Sequence, residues 1–314
     1  MSDRIATREA YGNALIKLGE LNPNIVVLDA DLSKSTKTAG FAKKFPERFF
    51  QMGIAEADMM ATAGGFSTTG KIPFASTFAI FATGRAYDQV RNTIGYPGLN
   101  VKIAATHAGP TVGDDGGSHQ SIEDITLMRV IPGMTVLNPA DSLETEKLIF
   151  AAAEHYGPVY IRLGREPMPV IFDADYRPEI GKAVRLKDGK AATIIATGIM
   201  VEKALQAAEI LSQKSTVVRV INIHTIKPID TAEIIKAAWE TGAIVTAEEH
   251  SVIGGLSSAV AEVVVQNHPV PMEFVGMKDR FGQSGSPAEL LSEYGLTAEN
   301  IVEAVEKVIA QKNP

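Results

Sequence analysis

Short apolar runs rich in valine and isoleucine alternate along this chain with longer segments of helical period. This alternation is typical of α/β proteins, in which helices join the parallel strands of a sheet. In the first half, the clearest predicted strands are residues 24–28, 101–105 and 158–163. Asp141 predicts a helix start, because Glu144 follows it at the spacing of a capping box.

The pattern loosens between Arg165 and Lys190, where prolines and glycines are frequent, and we place a domain boundary there. A second alternation follows, with strands predicted at residues 192–196, 216–221, 243–246 and 273–275. Asp230 and Thr297 predict two further helix starts, and the second of these helices runs to about Gln311. The predicted fold class is therefore α/β, with two consecutive α/β domains at residues 1–186 and 190–314.

Length and composition indicate a packed globular protein. The 314 residues suffice for about two domains of roughly 150 residues. Hydrophobic residues make up 45% and charged residues 21%. The net charge of −7 argues against a nucleic-acid surface, which needs clustered lysine and arginine. The longest apolar stretch, residues 191–201, falls short of the roughly 20 residues of a membrane helix. We expect neither a nucleic-acid nor a membrane partner.

The chain contains no cysteine, which excludes disulfides, thiolate metal sites and a thiol nucleophile. Residues 1–8 lack the apolar core of a signal peptide. We therefore expect a cytoplasmic protein.

Two segments match known catalytic or nucleotide-binding motifs only in part. Residues 65–71 spell most of a P-loop, but Ile72 stands where the motif needs serine or threonine. A helix also precedes this segment and a strand follows it, so we predict a helix-ending turn. Residues 282–286 fall short of a nucleophile elbow, because Ser286 replaces its second glycine.

The densest set of reactive side chains lies in residues 106–120, here called the Gly-rich loop, which contains His107, Asp114, Asp115 and His119. The loop follows a predicted strand, and open α/β sheets bind ligands at the carboxyl ends of their strands. A small polar substrate fits this composition best. A solvated turn is one alternative, and a metal site from His107, Asp115 and His119 is another, although the spacing matches no metal signature.

Glu56 begins an alanine- and methionine-rich helix after a predicted strand at residues 49–51. Its neighbours in sequence are mostly apolar, and a buried carboxylate is costly unless it has a partner. Taken alone, Glu56 could equally be an exposed first-turn residue favoured by the helix dipole. Phe78 and Phe81 lie at a predicted strand-to-helix turn, where plain core packing is the ordinary explanation.

Together these segments resemble the C-terminal half of transketolase. The shared patterns are Gly-Ile-x-Glu at residues 53–56, Ser-Thr-Phe-x-x-Phe at 76–81, Thr-His at 106–107 and Gly-x-Asp-Gly-x-x-His-Gln at 113–120. The resemblance runs from Ala6 through the final helix. It implies a pyrimidine-binding domain followed by a transketolase C-terminal domain. The implied reaction transfers a two-carbon ketol unit from a ketose phosphate to an aldose phosphate with thiamine diphosphate.

The resemblance also implies roles for individual residues. Glu56 would hydrogen-bond the aminopyrimidine ring of the cofactor and assist proton transfer, and this role predicts that Glu56 is buried. Further cofactor-binding residues would be Phe78, Phe81 and Asp31, the last at the subunit contact. The catalytic residues would be Glu56, His107 and His119. The substrate-binding residues would be His107, Asp115 and His119 for the ketose, with Arg8, Ser35 and Arg165 for the sugar phosphate.

Some positions depart from the family pattern. The family usually has a basic residue before the glutamate and a histidine after it, where this chain has Ala55 and Ala57. Residues 85–90 look more like the related deoxyxylulose-phosphate synthase, yet His107 replaces an acidic residue of that enzyme.

The family's diphosphate-binding domain, with its Gly-Asp-Gly start and downstream asparagine, is missing. The resemblance therefore implies that Mg²⁺ and the diphosphate are held mainly by an N-terminal transketolase subunit, in an α2β2 heterotetramer, and that this chain supplies no metal ligand. The beta chain of a 2-oxoacid dehydrogenase, a deoxyxylulose-phosphate-synthase-like enzyme and a non-catalytic regulatory subunit are the alternatives. Beyond residue 190 we find no catalytic group, and His250 has no assigned role.

Overall fold

The computed structural model describes residues 4–312, so the predicted domain limits at Met1 and Pro314 lie outside the described residues. The strands of the first part are β1 (Arg4–Ala6), β2 (Ile25–Asp29), β3 (Phe49–Gln51), β4 (Ile72–Phe78), β5 (Lys102–Thr106), β6 (Thr135–Leu137), β7 (Val159–Arg162) and β8 (Pro167–Pro169). Its α-helices are α1 (Thr7–Leu21), α2 (Ser33–Thr36), α3 (Ala39–Lys44), α4 (Glu56–Thr68), α5 (Asp124–Arg129) and α6 (Ser142–Glu154).

The second part has the same alternating construction. Its strands are β9 (Val184–Lys187), β10 (Thr193–Ala196), β11 (Arg219–Asn222), β12 (Thr225–Lys227), β13 (Ile244–Ser251) and β14 (Met272–Met277). Its helices are α7 (Met200–Gln213), α8 (Thr231–Thr241), α9 (Leu256–Asn267), α10 (Pro287–Glu293) and α11 (Ala298–Lys312). None of the helices between residues 4 and 312 is long and apolar enough to cross a membrane.

Two larger sheets organise the chain, and the α/β prediction is confirmed. The first has seven strands in the order β12-β6-β7-β5-β4-β2-β3, with parallel pairing except at β12. The second has the order β14-β13-β10-β11-β9, parallel except at β9. A short antiparallel pair, β1 with β8, joins the N-terminal segment to the chain after β7.

The two sheets do not divide the sequence cleanly. Strand β12 lies between β11 and α8 in the chain, yet it pairs with β6 and extends the first sheet. Strand β9 pairs with β11 and belongs to the second sheet. The second part of the chain therefore contributes one strand, β12, to the first sheet and forms the second sheet with its other strands.

The predicted helix starts have the expected caps. The Asp141 side chain accepts a hydrogen bond from the Glu144 amide at 2.7 Å, and Asp230 accepts one from the Glu233 amide at 3.1 Å. Ser286 caps α10 in a reciprocal capping box with Glu289. This role explains the serine that breaks the elbow motif. The P-loop-like segment is the end of α4 and the turn that follows, as predicted.

Candidate active site

The predicted site residues gather at the carboxyl edge of the first sheet, where the loops after neighbouring parallel strands meet. The structure places Asp31 and Ser35 after β2, Glu56 after β3, Phe78 and Phe81 at the end of β4, His107, Asp115 and His119 after β5, Arg165 after β7, and Arg8 at the start of α1.

Glu56 opens α4, and its predicted burial is confirmed, since only 5% of the residue is exposed. The sequence did not reveal its partner. Arg85 Nη1 lies 3.2 Å from Glu56 Oε1, while the guanidinium carbon lies 4.0 Å from the centre of the Phe81 ring. The buried carboxylate therefore faces a planar cation that is stacked on an aromatic ring.

Aromatic and imidazole rings form one cluster, which Arg85 joins to this carboxylate. Phe78 and Phe81 stack with centroids 5.8 Å apart and planes 12° apart. His107 stacks on Phe78 at 3.9 Å, and His119 meets Phe81 edge-on at 5.3 Å. Phe81 begins a π-helical segment, Phe81–Arg85, a rare geometry that is frequent at functional sites. The structure thus joins two predicted cofactor residues to two predicted catalytic ones.

Two arginines lie near His107, in addition to the aromatic rings described above. Arg8 Nη1 lies 3.0 Å from His107 Nε2 and 3.1 Å from the Ser35 carbonyl oxygen. Arg165 Nη1 donates to the Val112 carbonyl oxygen at 2.7 Å and lies 3.3 Å from Asp115 Oδ2. Arg8 therefore contacts the imidazole, and the charge of Arg165 is close enough to lower the pKa of His107. Two guanidinium groups in one place are suited to an anionic substrate group.

Asp31 stands apart from both groups. It is exposed and has a φ of 62°, and its amide donates to Gln51 Oε1 at 2.7 Å. Within residues 4–312, no hydrogen bond or ion pair joins the Asp31 carboxylate to the other predicted site residues.

In the same range, no group of three or more histidine, aspartate or glutamate side chains could hold a metal ion.

The contacts of His107 fix its protonation. A guanidinium can only donate, so Nε2 must accept from Arg8, and the ring proton lies on Nδ1, 2.9 Å from Thr106 Oγ1. Burial, together with the charges of Arg8 and Arg165, lowers the pKa of His107 to about 3. His107 is therefore a neutral ring at physiological pH, able to orient a substrate but not to carry a positive charge.

Two buried histidines predict how stability depends on pH. Burial lowers the pKa of His107 to about 3 and that of His224 to about 4. In the unfolded chain both titrate with a pKa of about 6.5. Below that pH the unfolded state binds protons that the folded state does not. The free energy of unfolding should therefore fall as the pH drops from about 6.5 towards 4.

Urea unfolding at a series of pH values measures this effect. In His107→Asn and His224→Asn the decline should be shallower than in the wild type. Asparagine tolerates the positive φ of 57° at position 107. A decline as steep in both variants as in the wild type would contradict the prediction.

A buried ionic network under the Gly-rich loop was missed by the sequence analysis. Arg162 Nε donates to Asp124 Oδ2 at 2.9 Å, and Arg162 Nη2 donates to the Glu249 carbonyl oxygen at 2.8 Å. Tyr160 donates to the same Asp124 oxygen at 2.7 Å. His250, which had no assigned role, is buried 4.0 Å from Asp124. The sequence held one signal for this network, namely charged residues within otherwise apolar strands.

Comparison with known proteins identifies the relationship. Residues 3–170 match the family described as "Transketolase, pyrimidine binding domain", and residues 181–301 match "Transketolase, C-terminal domain". The chain belongs to the transketolase family. The resemblance inferred from four short motifs is therefore confirmed across both parts of the chain.

Transketolase relatives of the same length are known. The chain is 50% identical to a Methanocaldococcus jannaschii protein named as a transketolase C-terminal section, over 95% of this chain and 94% of that protein. It is 44% identical to the 6-deoxy-6-sulfo-D-fructose transketolase subunit of a Clostridium species, over 98% and 95%. A solved structure titled "Split gene transketolase, inactive beta4 tetramer" has a TM-score of 0.93 and 58% identity, covering 98% of this chain and 100% of the other.

Proposed function

We propose that this chain is the C-terminal subunit of a split transketolase, which transfers a two-carbon ketol unit from a ketose phosphate to an aldose phosphate. The observation that carries the proposal is the buried Glu56 carboxylate, which Arg85 joins to the ring cluster of Phe78, Phe81, His107 and His119. The proposal is supported by three relatives that match this chain over nearly their whole length and are named as a transketolase C-terminal section, a transketolase subunit and a split-gene transketolase.

The Glu56 site fits the pyrimidine ring of thiamine diphosphate. The Arg85 guanidinium, a flat group with N–H donors, stacks on Phe81 and hydrogen-bonds Glu56 at the same time. An aminopyrimidine is also flat and carries nitrogen donors, so Glu56, Phe78 and Phe81 would hold it. When bound, the cofactor supplies the carbanion chemistry of ketol transfer.

The remaining residues would act on the sugar. Glu56 would share a proton with the pyrimidine ring. His107 and His119 would face the reacting end of the ketose, with Asp115 beside them. Arg8 and Arg165 would hold the sugar phosphate with their guanidinium groups.

Ser35 and Asp31 would complete these sites from the loop after β2. Ser35 would add to the phosphate site, and its carbonyl oxygen already accepts from Arg8. Asp31 is exposed, which suits its proposed place near the cofactor at a subunit contact.

The active site would be shared between two polypeptides. We propose that an N-terminal subunit holds Mg²⁺ and the diphosphate, and that two copies of each subunit form a heterotetramer. The functional division of this chain would be the predicted one, a pyrimidine-binding domain at residues 1–186 and a C-terminal domain at 190–314. Strand β9 then straddles the division, since it starts at Val184 in the second sheet.

Reconstitution tests the proposal. We expect no ketol transfer from this chain alone, and transfer after addition of the N-terminal subunit, thiamine diphosphate and Mg²⁺. The assay follows the aldose and ketose products over a panel of phosphorylated and sulfonated sugars, because one relative is named for a sulfonated sugar.

Each alternative function has its own outcome in that assay. Decarboxylation of a 2-oxoacid without sugar transfer would assign the chain to a dehydrogenase. Formation of deoxyxylulose phosphate would assign it to the synthase. Full activity of the N-terminal subunit alone would make this chain a regulatory subunit.

A further inference from the structure

The second part of the chain packs directly on the Gly-rich loop. Gln120 Nε2 lies within the loop and donates to the carbonyl oxygens of Pro110 and Gly113, each at 3.1 Å. It also donates to the carbonyl oxygen of Gln283, in the segment before α10, at 2.9 Å. The loop that carries His107 and His119 is thus held in part by residues beyond the domain boundary.

Glu249 on β13 makes the closest of these contacts. Its Oε1 accepts from the Thr111 amide at 2.9 Å and from Thr111 Oγ1 at 2.5 Å. The side chain is buried, and hydrogen bonds to an ionised carboxylate are stronger than neutral ones. A Cβ atom at Gly109 would collide with the Glu249 carboxyl group, and Gly109 has a φ of 79°. The backbone of the loop therefore turns closely around this one side chain.

Thr111 connects Glu249 to the predicted substrate residues. It lies in the single helical turn Pro110–Val112. The Val112 carbonyl oxygen accepts from Arg165 at 2.7 Å, and Arg165 also pairs with Asp115. Displacement of this turn would move the acceptor that orients Arg165 and, through it, Asp115.

We propose that Glu249 is a positioning residue for ketol transfer, acting through Thr111 to fix the Gly-rich loop. The proposal rests on the function proposed above. Glu249 touches none of the predicted catalytic side chains, so its effect is on their placement. The C-terminal domain thereby takes part in the reaction and is more than a structural and interface unit.

Glu248 provides a matched control on the same strand. Its carboxylate oxygens accept from the amides of Leu256 and Ser257, each at 2.7 Å, at the start of α9. Glu248 is as buried as Glu249, but its hydrogen bonds go to the start of α9 and not to the loop. Replacement of Glu248 by glutamine therefore reproduces the loss of a buried carboxylate without a contact to Thr111.

Steady-state kinetics of the assembled enzyme tests the role. Glutamine can turn its carbonyl oxygen to Thr111 only by pointing its amide donors at Arg162, which is itself a donor. Misplacement of reacting groups by about 1 Å can cost about 100-fold, and for Glu249→Gln we expect a loss in kcat/KM of roughly 10- to 100-fold. Thiamine diphosphate affinity should be unchanged, because the contact lies on the sugar side.

Three further variants show whether the effect passes through Thr111. Glu248→Gln should retain kcat/KM, and Glu249→Asp should retain more activity than Glu249→Gln. Thr111→Val added to Glu249→Gln should cause little further loss, because the hydroxyl that it removes holds the loop through its hydrogen bond to Glu249. Equal kinetics in Glu248→Gln and Glu249→Gln, or fully additive effects with Thr111→Val, would overturn the proposal.

Hydrogen exchange separates this proposal from the proposed function. In Glu249→Gln, amides of residues 109–120 should exchange faster than in Glu248→Gln. If the wild-type complex shows no ketol transfer but this difference is present, the proposed function fails and the anchoring of the loop by Glu249 stands. If exchange in the loop is unchanged, the positioning role is wrong whatever reaction the complex catalyses.

Discussion

Replacement of Glu56 by glutamine should abolish most ketol transfer by the assembled enzyme. Glutamine has nearly the same size, and its carbonyl oxygen can still accept from Arg85, so the fold should remain. It cannot take or give the proton that the carboxyl group would share with the pyrimidine ring. Loss of a proton-transfer group typically lowers the rate by about 10²–10⁴-fold, and we expect kcat to fall within that range.

Asp58 supplies the control for this measurement. It is an exposed carboxylate in the same first turn of α4, so Asp58→Asn changes the charge near the helix start without entering the site. Its kcat should match that of the wild type. Normal turnover in Glu56→Gln, with assembly and thiamine diphosphate held constant, would remove Glu56 from the reaction.

Replacement of Arg162 by methionine should cause the largest loss of stability. The side chains of Arg162, Asp124 and Glu249 are at most 5% exposed. Methionine leaves two buried acidic groups without their cation, and Asp124 loses a hydrogen bond of 2.9 Å. Removal of one partner from a buried ion pair costs about 3–5 kcal/mol, and we expect the free energy of unfolding to fall by that amount.

Urea denaturation measures this loss, with Arg4→Met as the control. Arg4 pairs with Glu202 at the surface, with 48% of its side chain exposed, and exposed pairs contribute about 0–1 kcal/mol. Replacing both Arg162 and Asp124 by apolar residues should recover part of the stability. A loss in Arg162→Met no larger than that in Arg4→Met would mean that the buried network adds little to the fold.

The sequence predicted the elements whose signals are local. The strands at residues 24–28, 101–105 and 158–163 lie within one residue of β2, β5 and β7, because continuous β-branched runs mark strands that are buried on both faces. The strand predicted at 216–221 begins at Arg219, and β13 continues to Ser251, well beyond the predicted end. The extension contains Glu248, Glu249 and His250, whose polar character concealed a buried strand.

The short strands were not predictable in the same way. Strands β8, β9 and β12 have three or four residues each, and their partners lie far away in the sequence. Pairing over such distances depends on the assembled sheet rather than on local preference.

The candidate site shows the same division between local and long-range signals. The burial of Glu56 was predicted from the role that the resemblance implies, because its apolar neighbours alone left an exposed residue equally open. Arg85 lies 29 residues away in the chain, and Glu249 lies 138 residues from Thr111, so neither contact has a local pattern. The motifs identified the candidate side chains that the structure brings together, whereas the groups that contact and hold them were visible only in the tertiary structure.

The pairing of β12 with β6 has a consequence for dissecting the protein into fragments. A fragment ending near residue 186 would lack β12, and the backbone N–H and C=O groups of β6 that face β12 would lose their partners, while the side paired with β7 would keep them. Uncovered sheet edges recruit strands from other molecules and promote aggregation. Proteolysis or gene truncation that aims at a well-behaved N-terminal fragment therefore has to keep the chain through Lys227.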